Sequence, residues 1–142
     1  MLKVLFPSLV FIIAATVLPA GEPVRVMEEG EEDSTWIRTD RDEDGNFDYN
    51  LRVNEMGRKM YEELDFNYDG AMDDFYYYSD GVLERREIDS NYDEDIDIWV
   101  YIHEGVYIER YEMDKDFDGE VDTIETFGAS EAADAGKDER GS

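Results

Sequence analysis

Nine residues, Asp114-Lys115-Asp116-Phe117-Asp118-Gly119-Glu120-Val121-Asp122, constrain this chain most, because their pattern stands three more times at nearly constant spacing. The other copies begin at Asp40, Asp65 and Asp89, so the steps between first aspartates are 25, 24 and 25 residues. A fixed period of that size marks a repeat architecture, in which one supersecondary unit is used again and again. Each copy carries oxygen-bearing side chains at its positions 1, 3, 5 and 9 and an apolar residue at position 8. Position 6 is glycine in three copies (Gly45, Gly70, Gly119) and Glu94 in the third.

The oxygen positions are Asp40, Asp42, Asp44 and Asp48 in the first loop and Asp65, Asn67, Asp69 and Asp73 in the second. They are Asp89, Asn91, Asp93 and Asp97 in the third, and Asp114, Asp116, Asp118 and Asp122 in the fourth. Calcium is a hard cation that takes roughly six to eight oxygen ligands, and alternating carboxylates on a tightly turned loop can surround it. Glycine supplies the positive backbone angle of such a turn. These sixteen residues are the candidate ligands, and calcium is the expected ion because magnesium demands a tighter octahedral shell with retained waters. The competing reading is a set of solvated turns, since Asp, Asn and Gly are also ordinary turn formers. Glu94 must adopt a strained turn or change the loop's shape, so the third site is expected to be the weakest or distorted.

The loops resemble the calcium loops shared by EF-hands, dockerins, thrombospondin type 3 repeats and integrin-type propeller blades, whose common core is D-x-[DN]-x-D-G. The resemblance covers about nine residues in each period, so it implies a metal site more firmly than a fold. In an EF-hand the twelfth loop position is a bidentate glutamate; here that position holds Leu51, Tyr76, Val100 and Glu125, and only the last fits. All four copies instead carry an aspartate at position 9, so the shorter D-x-D-x-D-G-x-x-D form, closed by that aspartate, describes them better.

Between the loops the chain is rich in aromatic and β-branched residues and breaks at turn signals. Tyr49 to Val53 and Arg58 to Leu64 flank Asn54-Glu55-Met56-Gly57; Asp74 to Tyr78 and Val82 to Ile88 flank Ser79-Asp80-Gly81; Ile98 to Ile102 and Val106 to Met113 flank His103-Glu104-Gly105. Short runs of this kind around Asp-Gly or Glu-Gly are hairpin signatures. Trp36 to Thr39 and Thr123 to Phe127 add a half-hairpin at each end. The expected fold class is all-β: eight strands forming repeated antiparallel hairpins in a meander or solenoid, with tight turns along one edge and the Asp-rich loops along the other. The alternative is an EF-hand-like α fold, for which Met56 to Leu64 offers a short helix. Phe75-Tyr76-Tyr77-Tyr78 and Ile98-Trp99-Val100-Tyr101-Ile102 favour strands. Both faces of those two strands are apolar or aromatic. Either the sheet curls and packs on itself, or a face carrying Phe75, Tyr77, Trp99 and Tyr101 is exposed and binds carbohydrate or another protein.

Residues 1–20 have a short positive start, an apolar run from Val4 to Leu18 and a small residue at Ala20, which reads as a cleaved secretory signal peptide, with a retained membrane anchor as the alternative. Residues 21–33, with Glu28-Glu29-Gly30-Glu31-Glu32-Asp33, read as an acidic disordered linker, residues 34–128 as one repeat domain, and residues 129–142 as a second disordered tail. With no cysteine, the chain can carry neither disulfides nor a lipid attached to an N-terminal cysteine, which leaves metal as the obvious cross-brace of an exported protein.

The chain holds 39 acidic residues against 13 basic ones, a net charge of −26, and 18 of the acids lie in the four loops. Self-repulsion on that scale opposes compaction, and bound divalent ions would relieve it where it is densest, so a fold that loosens on calcium removal is expected. The same charge repels a phosphate backbone and argues against nucleic-acid binding. His103 is the only histidine and sits at a turn, and no nucleophile, zinc or phosphate-loop motif is present. The expected protein is a non-enzymatic, secreted or periplasmic calcium-binding repeat protein with a structural, adhesive or cell-surface role, with no membrane span in its mature chain. Its expected partners are calcium ions and a cell-surface protein or carbohydrate. The rivals are a calcium-dependent binding module using the aromatic strands, and an acidic envelope protein adapted to high salt.

Overall fold

The computed structural model of the protein describes residues 24–30 and 33–128. The segment expected to be a signal peptide, residues 1–20, and the expected tail from residue 129 lie outside the described residues. Within them the fold is all-β, with no helix: β1 (Val24–Glu29), β2 (Ser34–Asp40), β3 (Tyr49–Asn54), β4 (Lys59–Leu64), β5 (Asp74–Ser79), β6 (Val82–Ile88), β7 (Ile98–His103), β8 (Tyr107–Met113) and β9 (Thr123–Thr126). They form one antiparallel sheet in the order β1-β2-β3-β4-β5-β6-β7-β8-β9. The EF-hand-like α alternative is thereby excluded; residues 56–64 form a turn and β4.

Eight of the nine strands follow the segments marked by the turn signals. The ninth, β1, lies where a linker is expected, and there the sequence reading is corrected. Val24 and Val26 alternate with Arg25 and Met27, a period of two that suits a strand, and the whole run from Val24 to Glu29 pairs with β2. Arg38 on β2 reaches back to Glu28 at 3.3 Å.

Tight turns lie along one edge of the sheet and the Asp-rich loops along the other. Asp80-Gly81 and Glu104-Gly105 both have positive φ at each residue, a backbone twist that suits a hairpin; Ser79 pairs with Val82 across the first, and Val106 N–H donates to the His103 carbonyl at 3.2 Å across the second. Beside each turn the ladder shifts register, leaving Met60, Glu84 and Glu109 as extra residues in β4, β6 and β8. Such bulges sharpen the local twist, and here they recur with the period of the loops.

Each strand packs chiefly against its neighbours in sequence, and among the described residues no second layer covers either face. The expectation that the sheet curls over and packs on itself is therefore not met. Among the described residues no apolar side chain is buried; the twelve buried residues are all polar or charged, and seven of them are first or ninth aspartates of the loops. Large side chains instead shield one another sideways across the strands.

On one face the register aligns Trp36, Arg52, Tyr61, Tyr77, Arg85, Tyr101 and Arg110 in a row. Trp36 meets Tyr61 edge-on at 5.9 Å and Tyr61 meets Tyr77 at 5.3 Å, while Arg85 and Arg110 lie 4.1 Å over the rings of Tyr77 and Tyr101. Cross-strand pairs of these kinds contribute roughly 0.2–1 kcal/mol each. The opposite face carries Ile37, Leu51, Val100 and Ile102 and is anchored by two buried acids. Asp74 receives both Nε (2.7 Å) and Nη2 (2.5 Å) of Arg86 and the Tyr76 hydroxyl (2.9 Å). Glu62 receives Lys59 Nζ at 2.7 Å and the hydroxyls of Tyr49 and Tyr78.

Burial of Glu62 opposes its ionisation, but the hydrogen bonds from Lys59, Tyr49 and Tyr78 outweigh it and hold the carboxyl below its ordinary value. A carboxyl lowered in the folded state adds stability that is complete above its unfolded value, about 4.3 for glutamate, and is lost as pH falls through the folded value. Substitution Glu62→Ala should cost about 2 kcal/mol in urea unfolding at pH 7, in line with charged hydrogen bonds. Glu62→Gln should flatten part of the stability loss on acidification below about pH 4.3.

Candidate metal-binding loops

All four loops close in the same way, and the first aspartate does most of the closing. Its two oxygens accept the backbone N–H groups of positions 4 and 6: Glu43 (2.7 Å) and Gly45 (3.1 Å) on Asp40, and Tyr68 (2.6 Å) and Gly70 (2.9 Å) on Asp65. The pattern continues with Tyr92 (2.7 Å) and Glu94 (2.8 Å) on Asp89, and Phe117 (2.8 Å) and Gly119 (2.7 Å) on Asp114. The ninth aspartate accepts the N–H of position 2 in each copy: Arg41, Phe66, Ser90 and Lys115 donate to Asp48, Asp73, Asp97 and Asp122 at 2.5–2.8 Å. Local bonds from Asp and Asn side chains to nearby N–H groups are the reason these residues favour turns over regular ladders.

The loops also extend the sheet. The N–H of the ninth residue donates to the carbonyl preceding the first, as in Asp73 to Leu64 at 2.8 Å. The N–H of each later first aspartate donates to the carbonyl of the previous loop's ninth residue: Asp65 to Asp48, Asp89 to Asp73 and Asp114 to Asp97, at 2.8–2.9 Å. Successive loops are thus tied edge to edge.

Oxygens of Asp40, Asp42 and Asp48 lie within 4.8 Å of one another, and those of Asp114, Asp116 and Asp122 do likewise. In the second and third loops Asn67 and Asn91 replace the carboxylate at position 3, leaving Asp65 and Asp73, or Asp89 and Asp97, with an amide oxygen. The position-5 aspartates are less central than the sequence implies. Asp44, Asp69, Asp93 and Asp118 stand outside both convergent groups and accept the N–H of position 7 instead, for example Ala71 on Asp69 at 2.8 Å. That backbone bond, with one from the Asn side chain, lowers the pKa of Asp44 and Asp69.

Charge crowding shows in the neighbours. The negative charges of Asp118 and Asp122 raise the carboxyl of Asp116, and lost hydration, helped by Asp44, Asp48 and Asp40, raises Asp42. Asp73 is raised first by burial and then by Asp65 and Asp69. A cation held between these oxygens would reverse the sign of the local field.

Two backbone features bear on the third loop. Glu94 takes φ 75°, beside 99°, 95° and 89° for Gly45, Gly70 and Gly119, so the loop keeps the common shape and is not distorted. Position 4 also has positive φ in every copy, at Glu43, Tyr68, Tyr92 and Phe117. No glycine marks that position, so the sequence carries no signal for it.

The left-handed region costs a residue with a Cβ about 1–2 kcal/mol, partly offset by glycine's larger entropy loss. Glu94→Gly should therefore stabilise the protein by roughly 0.5–1 kcal/mol, and Gly70→Glu should destabilise it by a similar amount, read from denaturant midpoints. Equal midpoints for both variants and the parent would show that this angle is not strained.

No protein-family model matches the chain, and no curated protein or solved structure is significantly similar to it.

Proposed function

We propose that the protein is a secreted or periplasmic repeat protein that binds calcium in its four Asp-rich loops, serves a structural or adhesive role at the cell surface, and has no catalytic activity of its own. The observation that carries this reading is the convergence of three carboxylates in the first and fourth loops, within 4.8 Å of one another. Calcium holds its oxygens at about 2.3–2.6 Å, so oxygens on its shell stand no more than about 5 Å apart. The donor set is all oxygen and strongly anionic, which suits a hard divalent cation over softer metals. Asp40, Asp48, Asp114 and Asp122 already accept backbone N–H groups, but a carboxylate offers about four lone-pair sites and can do both. Water and the remaining loop oxygens would complete the shell.

A structural role accords with the architecture. A single-layer sheet is held by lateral contacts, and ions lined along one edge would brace successive repeats where the negative charge is densest. The carbohydrate reading has less support. The faces of Tyr77 and Tyr101 that a sugar ring would stack on are covered by Arg85 and Arg110 at 4.1 Å.

Affinity in such loops follows ligand charge, so the first and fourth loops should fill before the second and third. Calorimetric titration of the chelated chain should resolve two tighter and two weaker calcium ions, with a rise in thermal midpoint at saturation and a smaller effect of magnesium. Asp116→Asn gives the fourth loop the donor set of the second while keeping an oxygen at position 3. It should move one tight ion into the weaker class. Heat of binding that is absent, together with folding driven by monovalent salt alone, would leave the loops as solvated turns of a salt-adapted protein.

A further inference from the structure

The third loop's glutamate at a glycine position borders an open groove of about 670 Å³ between the second and third loops, lined by Asp69, Gly70, Ala71, Met72, Phe75 and Glu94. Ala71, Met72 and Phe75 are half-buried and supply the apolar part of its lining, while Asp69 and Glu94 are exposed. The two acids differ in their ties. Asp69 is held by Ala71 N–H at 2.8 Å and by Asn67 Nδ2 at 2.7 Å. Glu94 donates its own N–H to Asp89, but its carboxylate makes no hydrogen bond or ion pair among the described residues.

We propose that this groove seats a basic side chain of a partner polypeptide, its aliphatic stem on Met72 and Phe75 and its cationic end between Asp69 and Glu94. Lysine and arginine have this two-part character, an apolar stem with a charged head. The apolar lining and the two acids match the two parts. Charge complementarity favours the same occupant: the chain carries −26, a field that draws a basic partner and repels an acidic one. Glycine at position 94 would leave the groove with a single acid, which gives Glu94 a role that the closure of its own loop does not require.

This inference goes beyond calcium binding and does not rest on it. The probe is trilysine amide, titrated into the full chain at saturating calcium, with the amide and side-chain signals of Met72, Phe75 and Glu94 followed by nuclear magnetic resonance. Glu94→Gln removes the charge and keeps the length, and Glu104→Gln makes the same charge change at the opposite edge of the sheet. Losing one close charge pair near a surface should raise the trilysine dissociation constant about fivefold in Glu94→Gln, leave it nearly unchanged in Glu104→Gln, and reduce the shifts at Met72 and Phe75. Triacetyl-lysine should not bind. Equal weakening by both variants would reduce the effect to the general attraction of a polyanion and overturn the proposal. So would unshifted Met72 and Phe75 signals, binding of the acetylated peptide, or a Glu94→Gln variant that loses a calcium ion but not the peptide.

Discussion

A sheet with no second layer has no interior, and every strand must be held by its lateral neighbours alone. That constraint explains why burial in this protein is inverted. The groups most removed from water are carboxylates and other polar side chains, because the places with enough surrounding atoms to exclude water are the loop closures and the cross-strand clusters. A buried carboxylate is tolerable only when its lone pairs are occupied. The first aspartate of each loop meets that requirement with two backbone N–H groups, Asp74 with Arg86 and Tyr76, and Glu62 with Lys59 and two tyrosines.

The same concentration of acids sets two opposing electrostatic trends. Glu62, lowered by its donors, supports the folded state at neutral pH and ceases to do so in acid. Asp42, Asp73 and Asp116 are raised, so the folded state holds their protons more tightly than the unfolded chain does. Their ionised forms weigh against the fold at neutral pH, and that burden is relieved as pH falls through their folded values. A divalent ion in the loops would relieve it without protons. Metal and acid therefore act on the same repulsion, whereas only acid dismantles the Glu62 cluster.

The strands were legible because turn chemistry punctuates them: Asp80-Gly81 and Glu104-Gly105 break aromatic runs at the points where the backbone takes positive φ. The loop spacing likewise placed the ligand candidates on one edge, since hairpins alternate their ends. Strand β1 was obscured by the acidic residues that follow it, which weigh on composition but not on the two-residue period of Val24 and Val26. The left-handed conformation of Tyr68, Tyr92 and Phe117 had no sequence signal, because it is enforced by hydrogen bonds to the first aspartate and not by residue type. The different standing of position 5 was hidden for a related reason. Alternation along a loop does not reveal which carboxylates turn inward and which accept a backbone N–H.

Loop and sheet are also less separable than a motif of nine residues suggests. Asp48, Asp73 and Asp97 are at most 2 % exposed, whereas Asp122, in the same loop position, is exposed. The loops have the same internal bonds, so the difference lies outside them. Each of the first three is followed by a hairpin, after which the first aspartate of the next loop donates its N–H to the ninth residue's carbonyl, and among the described residues no strand follows β9. Burial of a closing carboxylate is therefore conferred by the next repeat. In an array coupled this way each repeat's stability includes a term from its neighbour, and the smallest unit that reproduces the inner geometry is a loop together with the strands on both sides and the leading aspartate of the loop that follows.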